Sequence, residues 1–386
     1  MRTSLLVAAV CLCAQAQVEK KRLPEVPAEL REELVGYLKA HWKSPEDYIV
    51  SKFASHNLVF LGEYHRIRHD VELVGRLIPR LYKMGVRNLG IEFGAAEFQA
   101  EADRLVTAAA YDESVARSLM HRWSVIWGYR EYIDLYRRAS ELNHSLPPDA
   151  LKFRIVHLNY RAQWDLLEEP RTPEMMKKVF HRGDPDWFMA DVIQREFLAK
   201  KEKALIYSGS HHSFTKYRQP VWDYASQRLV RLAENRMGNH VYRAAPGGVF
   251  NVHLHSPWMQ KAKPGAYDYP VRGVIDAVMR AFPEPRVGFD VVASPFARLG
   301  DDTSVYSAGY DPFTFAEFCD GYIYQKRLSK YEGVSVDPDF VTEANFRETL
   351  AHLPAPAMRA KITSAEMYRA ALAEDADIPR RMRGFE

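Results

Sequence analysis

Asn57-Leu58-Val59-Phe60-Leu61-Gly62-Glu63-Tyr64-His65 is the stretch on which the reading of the fold turns. A short apolar run with no polar interruption suits a strand buried on both faces of a parallel sheet. The run stops at a glycine, and a carboxylate and an imidazole follow at once. The same plan recurs along the chain. Strands are expected over 88–93 (Asn88-Leu89-Gly90-Ile91-Glu92-Phe93), 153–158, 204–209 (ending Tyr207-Ser208-Gly209), 251–255 and 287–292. Between them the spacing turns helical. Val71, Leu73, Val74, Leu77, Ile78 and Leu81 mark one helix, with Gly85 as its C-terminal cap and Pro79 expected to kink or split it. Further helices are expected over 131–142 and 186–199. Strands alternating with helices predict an α/β fold: a mostly parallel sheet flanked by helices, with helical insertions.

Outside this core, residues 17–49 read as a helical lead-in, with a helix over 28–42. Residues 50–330 form the catalytic or binding domain. Residues 331–386, with Pro354 and Pro356 among short helical runs, form a C-terminal helical extension and not a second catalytic domain. Residues 1–16 have the plan of a secretory signal peptide: Arg2, an apolar run from Leu5 to Ala14, then the cleavage pattern Ala14-Gln15-Ala16. That run is too short to span a bilayer. Neither Cys11 nor Cys13 follows a small residue, so no lipobox is present. The expected location is secreted or periplasmic.

Cleavage would remove two of the three cysteines and leave Cys319 alone, which excludes an internal disulfide and a Cys-rich zinc site. The 386 residues are 47% hydrophobic, enough for a large core. With 53 basic against 50 acidic residues, the net charge of +3 gives no electrostatic reason to expect nucleic acid as a partner. No heptad repeat or interface stripe marks an oligomeric state.

In open α/β sheets, ligands bind at the carboxyl ends of the strands. There the sequence places Glu63 and His65 after the first strand, Glu92 in the second, His157 near the end of the third, and His211 and His212 after the fourth. Burying such groups together without a partner costs several kcal/mol, so their convergence marks a site. Gly62-Glu63-Tyr64-His65 and Gly209-Ser210-His211-His212 are two Gly-x-x-His turns, in which the glycine lets a tight turn raise the imidazole from the strand end. His65 and His69 have the i, i+4 spacing used for zinc on a helix face. His253 and His255 alternate toward one sheet face and read as structural. Gly90 and Gly94 flank Glu92 and suggest close strand packing. No Gly-x-Ser-x-Gly occurs, which disfavours a serine-hydrolase triad. Trp123, Trp127 and Tyr129, like Trp187 and Phe188, read as packing. Asp191 is a weaker candidate partner for a site histidine.

In this combination the chain resembles the erythromycin esterase, ChaN-like and Tiki superfamily, whose members have two Gly-x-x-His motifs and a pair of glutamates. The resemblance spans about residues 50–330. It implies that Glu63, His65, Glu92 and His212 form the shared site, with His211 an extra imidazole beside the motif position. It also implies one of several activities: opening of macrolide lactones, metal-dependent peptide hydrolysis, or haem binding. The haem-uptake branch carries a lipobox that this chain lacks.

The expected function is hydrolysis of an ester or amide in a small molecule or peptide. His65 would act as general base, with Glu63 and Glu92 orienting it. A metal-dependent version joins Glu63, His65, Glu92 and His212 around zinc, manganese or cobalt. The alternative is a haem- or metal-binding protein without turnover, with His69 and His211 as further cofactor-binding positions.

Overall fold

A computed structural model describes residues 20–386; the segment read above as a signal peptide, 1–16, lies outside them. Seven strands form the main sheet. Here they are β1 (Leu58–Glu63), β2 (Asn88–Ala95), β3 (Arg154–Asn159), β4 (Ala204–Gly209), β5 (Val249–Leu254), β6 (Val287–Asp290) and β7 (Gly321–Tyr324). Their order across the sheet is β6-β7-β5-β1-β4-β2-β3, and every pairing is parallel except β6 with β7. All six expected strands are present.

The alternation within β1 explains its unbroken apolar run. Val59 and Leu61 enter one core cluster, while Leu58 and Phe60 enter another on the opposite face. Helices cover both faces, so neither set of side chains meets water. α1 (Ala28–His41), α2 (Pro45–Lys52), α3 (Arg68–Lys83), α4 (Arg130–Ser145) and α5 (Pro185–Ile193) are among them. α3 buries all six residues of its expected stripe, and Gly85 at φ +78° follows its last turn as the cap.

Pro79 does not split α3: the helix runs unbroken to Lys83. A proline ring crowds the carbonyl one turn back, and that position is Gly75, which has no side chain to add to the crowding. α2 was not foreseen, although Ser44 caps it by accepting from the Asp47 amide at 3.1 Å and Pro45 opens it. Also unforeseen were β7 and a hairpin of Gln219–Asp223 with Arg228–Ala233.

Residues 331–386 pack onto the main core through Val334, Phe340, Tyr368 and Leu372. One stretch threads beside the first Gly-x-x-His turn: the Val334 amide donates to the Arg66 carbonyl at 3.0 Å, and the Arg130 amide donates to the Ser335 carbonyl at 2.9 Å. No helix among the described residues is long and apolar enough to cross a membrane.

Candidate functional site

The sheet order determines who meets whom. β4 lies between β1 and β2, and its last residue, Gly209, is in register with Glu63. The first Gly-x-x-His turn and Glu92 therefore face each other across a position with no side chain. The Gly209 amide donates to Glu92 Oε2 at 2.8 Å. A Cβ built on Gly209 would stand 2.6 Å from His65 Cε1, 2.9 Å from His65 Nε2 and 3.5 Å from Glu92 Oε2. His65 and Glu92 thus meet over the bare Cα.

The expected role of the two glycines in a special turn conformation needs correction. Gly209 has φ −54°, and Gly62 is not among the residues with positive φ. What each position requires is room, since a Cβ on Gly62 would meet Ser213 Oγ at 2.4 Å.

Glu63 is the buried anchor, its side chain 0% exposed. Its Oε1 accepts from His65 Nδ1 at 2.8 Å and from the Tyr132 hydroxyl at 2.6 Å, and its Oε2 accepts from the Tyr207 hydroxyl. Three donors converging on one carboxylate offset the cost of burying it. Burial, and then the neighbouring Glu63 charge, hold both tyrosines far above the ordinary phenol range, so they stay donors. A carboxylate only accepts, which assigns the His65 proton to Nδ1 and leaves a lone pair on Nε2. The ring is held edge-on to Trp127 with centroids 5.0 Å apart, and Trp127 stacks on Phe93 at 5.0 Å. The Trp127 cluster read as packing is therefore also a wall of the site.

His212 is the second imidazole, and Asp186 is its partner. His212 Nδ1 is 2.6 Å from Asp186 Oδ1, and Nε2 is 3.4 Å from Glu92 Oε1. Asp186 also accepts from the Met237 amide at 2.8 Å and the Arg236 guanidinium at 3.1 Å. Burial works against a charge on His212, but Glu92 and Asp186 outweigh it and raise its pKa to about 9. Burial likewise opposes ionisation of Asp186, but the hydrogen bond from His212 prevails and its pKa is lowered. His212 is therefore an imidazolium at neutral pH.

Sequence reasoning chose Asp191 in place of Asp186. Asp191 pairs with Arg195 at 2.8 Å on the exposed side of its helix. The signal for Asp186 was the run Asp184-Pro185-Asp186, which starts α5 and puts a carboxylate in its first turn, at the ligand-binding edge of the sheet.

The remaining histidines divide clearly. The structure does not bring His69 to the site. α3 begins at Arg68, so His65 lies in the preceding turn and the i, i+4 spacing does not place both rings on one helix face. His69 is buried edge-on against Tyr331, and burial lowers its pKa to about 3. His211 turns away from Glu92 and sits 2.9 Å from the Tyr306 hydroxyl, its pKa lowered to about 3 by burial. His157 is locked between the Tyr136 hydroxyl at 2.6 Å and the Ala95 carbonyl at 3.0 Å. His253 stacks on Phe214, and His255 sits between Tyr322 and Asp276. Close packing at Gly90 is as expected, since a Cβ there would meet Ile206 Cδ1 at 2.9 Å.

The metal version finds no support in the donor set. Among the described residues, no three or more His, Cys, Asp or Glu side chains are arranged to hold a metal ion. Of the two glutamates in that set, Glu63 is saturated by three donors and one Glu92 oxygen holds the Gly209 amide. What remains free is His65 Nε2 facing an imidazolium–carboxylate pair.

Fold and site together define an α/β sheet covered on both faces, with two carboxylate-anchored imidazoles at adjacent strand ends. No protein-family model matches the chain, and no curated protein matches it. Solved structures do. A protein described as a succinoglycan biosynthesis protein matches over 81% of this chain and 100% of its own, at 12% identity and a TM-score of 0.52. An erythromycin esterase mutant in its open conformation matches over 83% of this chain and 98% of its own, at 12% identity and a TM-score of 0.45. ChaN of Campylobacter jejuni, described with cofacial haem, matches over 57% of this chain and 89% of its own, at 14% identity and a TM-score of 0.36. For the first of these, at 12% identity and a TM-score of 0.52, the likeness is one of fold alone.

Proposed function

We propose that this protein hydrolyses an ester or amide bond, with His65 as general base and His212 as the charged group that steadies the developing oxyanion. The observation that carries this reading is the division of labour between the imidazoles. Glu63 fixes the His65 proton on Nδ1 and leaves Nε2 to accept, while Asp186 and Glu92 keep His212 protonated. Paired groups whose surroundings push their protonation states apart are what acid–base chemistry at neutral pH requires.

His65 Nε2 takes a proton from water as the water oxygen bonds to the carbonyl carbon. Negative charge then gathers on the carbonyl oxygen, where the His212 imidazolium offsets it. The tetrahedral species collapses, the bond to the leaving oxygen or nitrogen breaks, and the proton on His65 passes to that leaving group. Glu92 stays between the two imidazoles as the fixed negative charge. The pattern Ala14-Gln15-Ala16 supports an exported location for this chemistry.

The test is turnover of a 4-nitrophenyl ester and of the matching 4-nitroanilide. Native protein is expected to release the chromophore, with a loss of about 10²-fold or more in His65→Ala. Turnover that survives Glu92→Gln and His65→Ala combined overturns the reading. Titration of the same proteins with haem tests the alternative: a Soret band that forms in native protein and is lost in His65→Ala, with no turnover of either substrate, assigns the site to haem.

A further inference from the structure

A cleft of about 560 Å³ opens beside His212 and Asp186. Its walls come from the two insertions that the sheet itself does not need, the helix Pro173–Val179 and the Gln219–Ala233 hairpin. The helix rests on a small satellite core of Ala162, Leu167 and Val179, apart from the clusters that hold the sheet. Two kinds of side chain line the cleft. Met176, Phe180 and Val221 line it as half-buried apolar side chains. Lys177 and Arg231 line it too, both exposed, and neither forms an ion pair among the described residues.

The charges make the cleft electropositive. Lys177, Arg231, Arg236 and the His212 imidazolium face only two carboxylates, Asp184 and Asp186, in its lining. Both carboxylates are already engaged, Asp184 with the Asp186 amide at 2.8 Å and Asp186 with His212, Met237 and Arg236. Two free cations over an apolar floor that ends on a site imidazole are complementary to a ligand with an apolar body and an oxyanion at one end.

We infer that this cleft is the substrate-binding arm of the site and selects anionic amphiphiles, molecules whose acidic group reaches Lys177 and Arg231 while the apolar body lies on Met176, Phe180 and Val221. This rests on the hydrolase reading only for what happens to the ligand, not for its binding.

Binding and turnover therefore separate the two. The probes are octanoate and octanamide, alike except for charge, measured by calorimetry against native protein and Lys177→Gln/Arg231→Gln. Native protein is expected to bind octanoate about tenfold more tightly than octanamide, the worth of a charge-assisted contact. The double variant is expected to lose that preference and keep its affinity for octanamide. Equal native affinities for the two probes, or an unchanged octanoate affinity in the variant, overturns the inference. Octanoate binding without hydrolysis of any ester sinks the hydrolase reading alone. Hydrolysis with no preference for the anionic probe sinks this one alone.

Discussion

The imidazole of His65 rests against the bare Cα of Gly209, where a Cβ would come within 2.6 Å of the ring. Gly209 has φ −54° and ψ 144°, a conformation open to any residue, so alanine strains nothing in its own backbone. The collision falls on His65, whose side chain is 34% exposed and has room to swing outward. Gly209→Ala is expected to leave the melting temperature almost unchanged and to lower kcat/KM about 10²-fold, the usual consequence of displacing a reacting group by an ångström. Full turnover in that variant contradicts a site built on this contact.

The His212 imidazolium makes a prediction in pH. Its pKa of about 9 lies above the ordinary 6.5, so kcat/KM falls on the alkaline side with a midpoint near 9. The same shift acts on stability. The protonated ring's contribution is fully present below about 6.5 and is lost as pH rises through about 9. Asp186→Asn removes the charge but keeps a hydrogen-bonding oxygen. It is expected to move the alkaline limb to lower pH and to flatten the loss of melting temperature across that window. A limb that does not move takes Asp186 out of the account.

Glu63 accepts from His65, Tyr132 and Tyr207 at once. Glu63→Gln offers one acceptor oxygen and an amide N–H₂ in a place where three donors converge. One donor is left unsatisfied, at about 1–3 kcal/mol, and His65 no longer has its proton fixed on Nδ1. The expected result is a fall in kcat of about 10²–10⁴-fold with a smaller change in KM. A fall in KM affinity alone, with kcat preserved, would make Glu63 a binding residue.

How far the sequence carries the reading can be followed residue by residue. β1 and β4 are short apolar runs that end at Glu63 and Gly209, and their side chains alternate between two covered faces, so composition alone finds them. Gly321-Tyr322-Ile323-Tyr324 escapes because four residues carry too little pattern, and its place between β5 and β6 is a tertiary fact. Within the candidate site, Glu63, His65, Glu92 and His212 are legible because each lies in or just after a recognisable strand. The choice between His211 and His212 is not, since one residue's rotation along a short helix decides which ring meets Glu92 and which meets Tyr306. Asp186 is hidden for another reason: it reaches His212 across 26 residues, through a helix start that sequence reads only as a cap.

Gly94 supplies the contrast to Gly209. A Cβ there would lie between 2.4 and 2.9 Å from three atoms of the His157 ring. That ring is 1% exposed and tied at both nitrogens, to the Tyr136 hydroxyl and the Ala95 carbonyl, so it has nowhere to go. Overpacking a site that cannot yield costs about 1–3 kcal/mol. Gly94→Ala is expected to lower the melting temperature clearly, where Gly209→Ala does not, even though both add the same methyl group beside a histidine. Equal effects on stability would mean that His65 is held as rigidly as His157. An imidazole so fixed could not adjust to a substrate, and its role would then be to hold the fold.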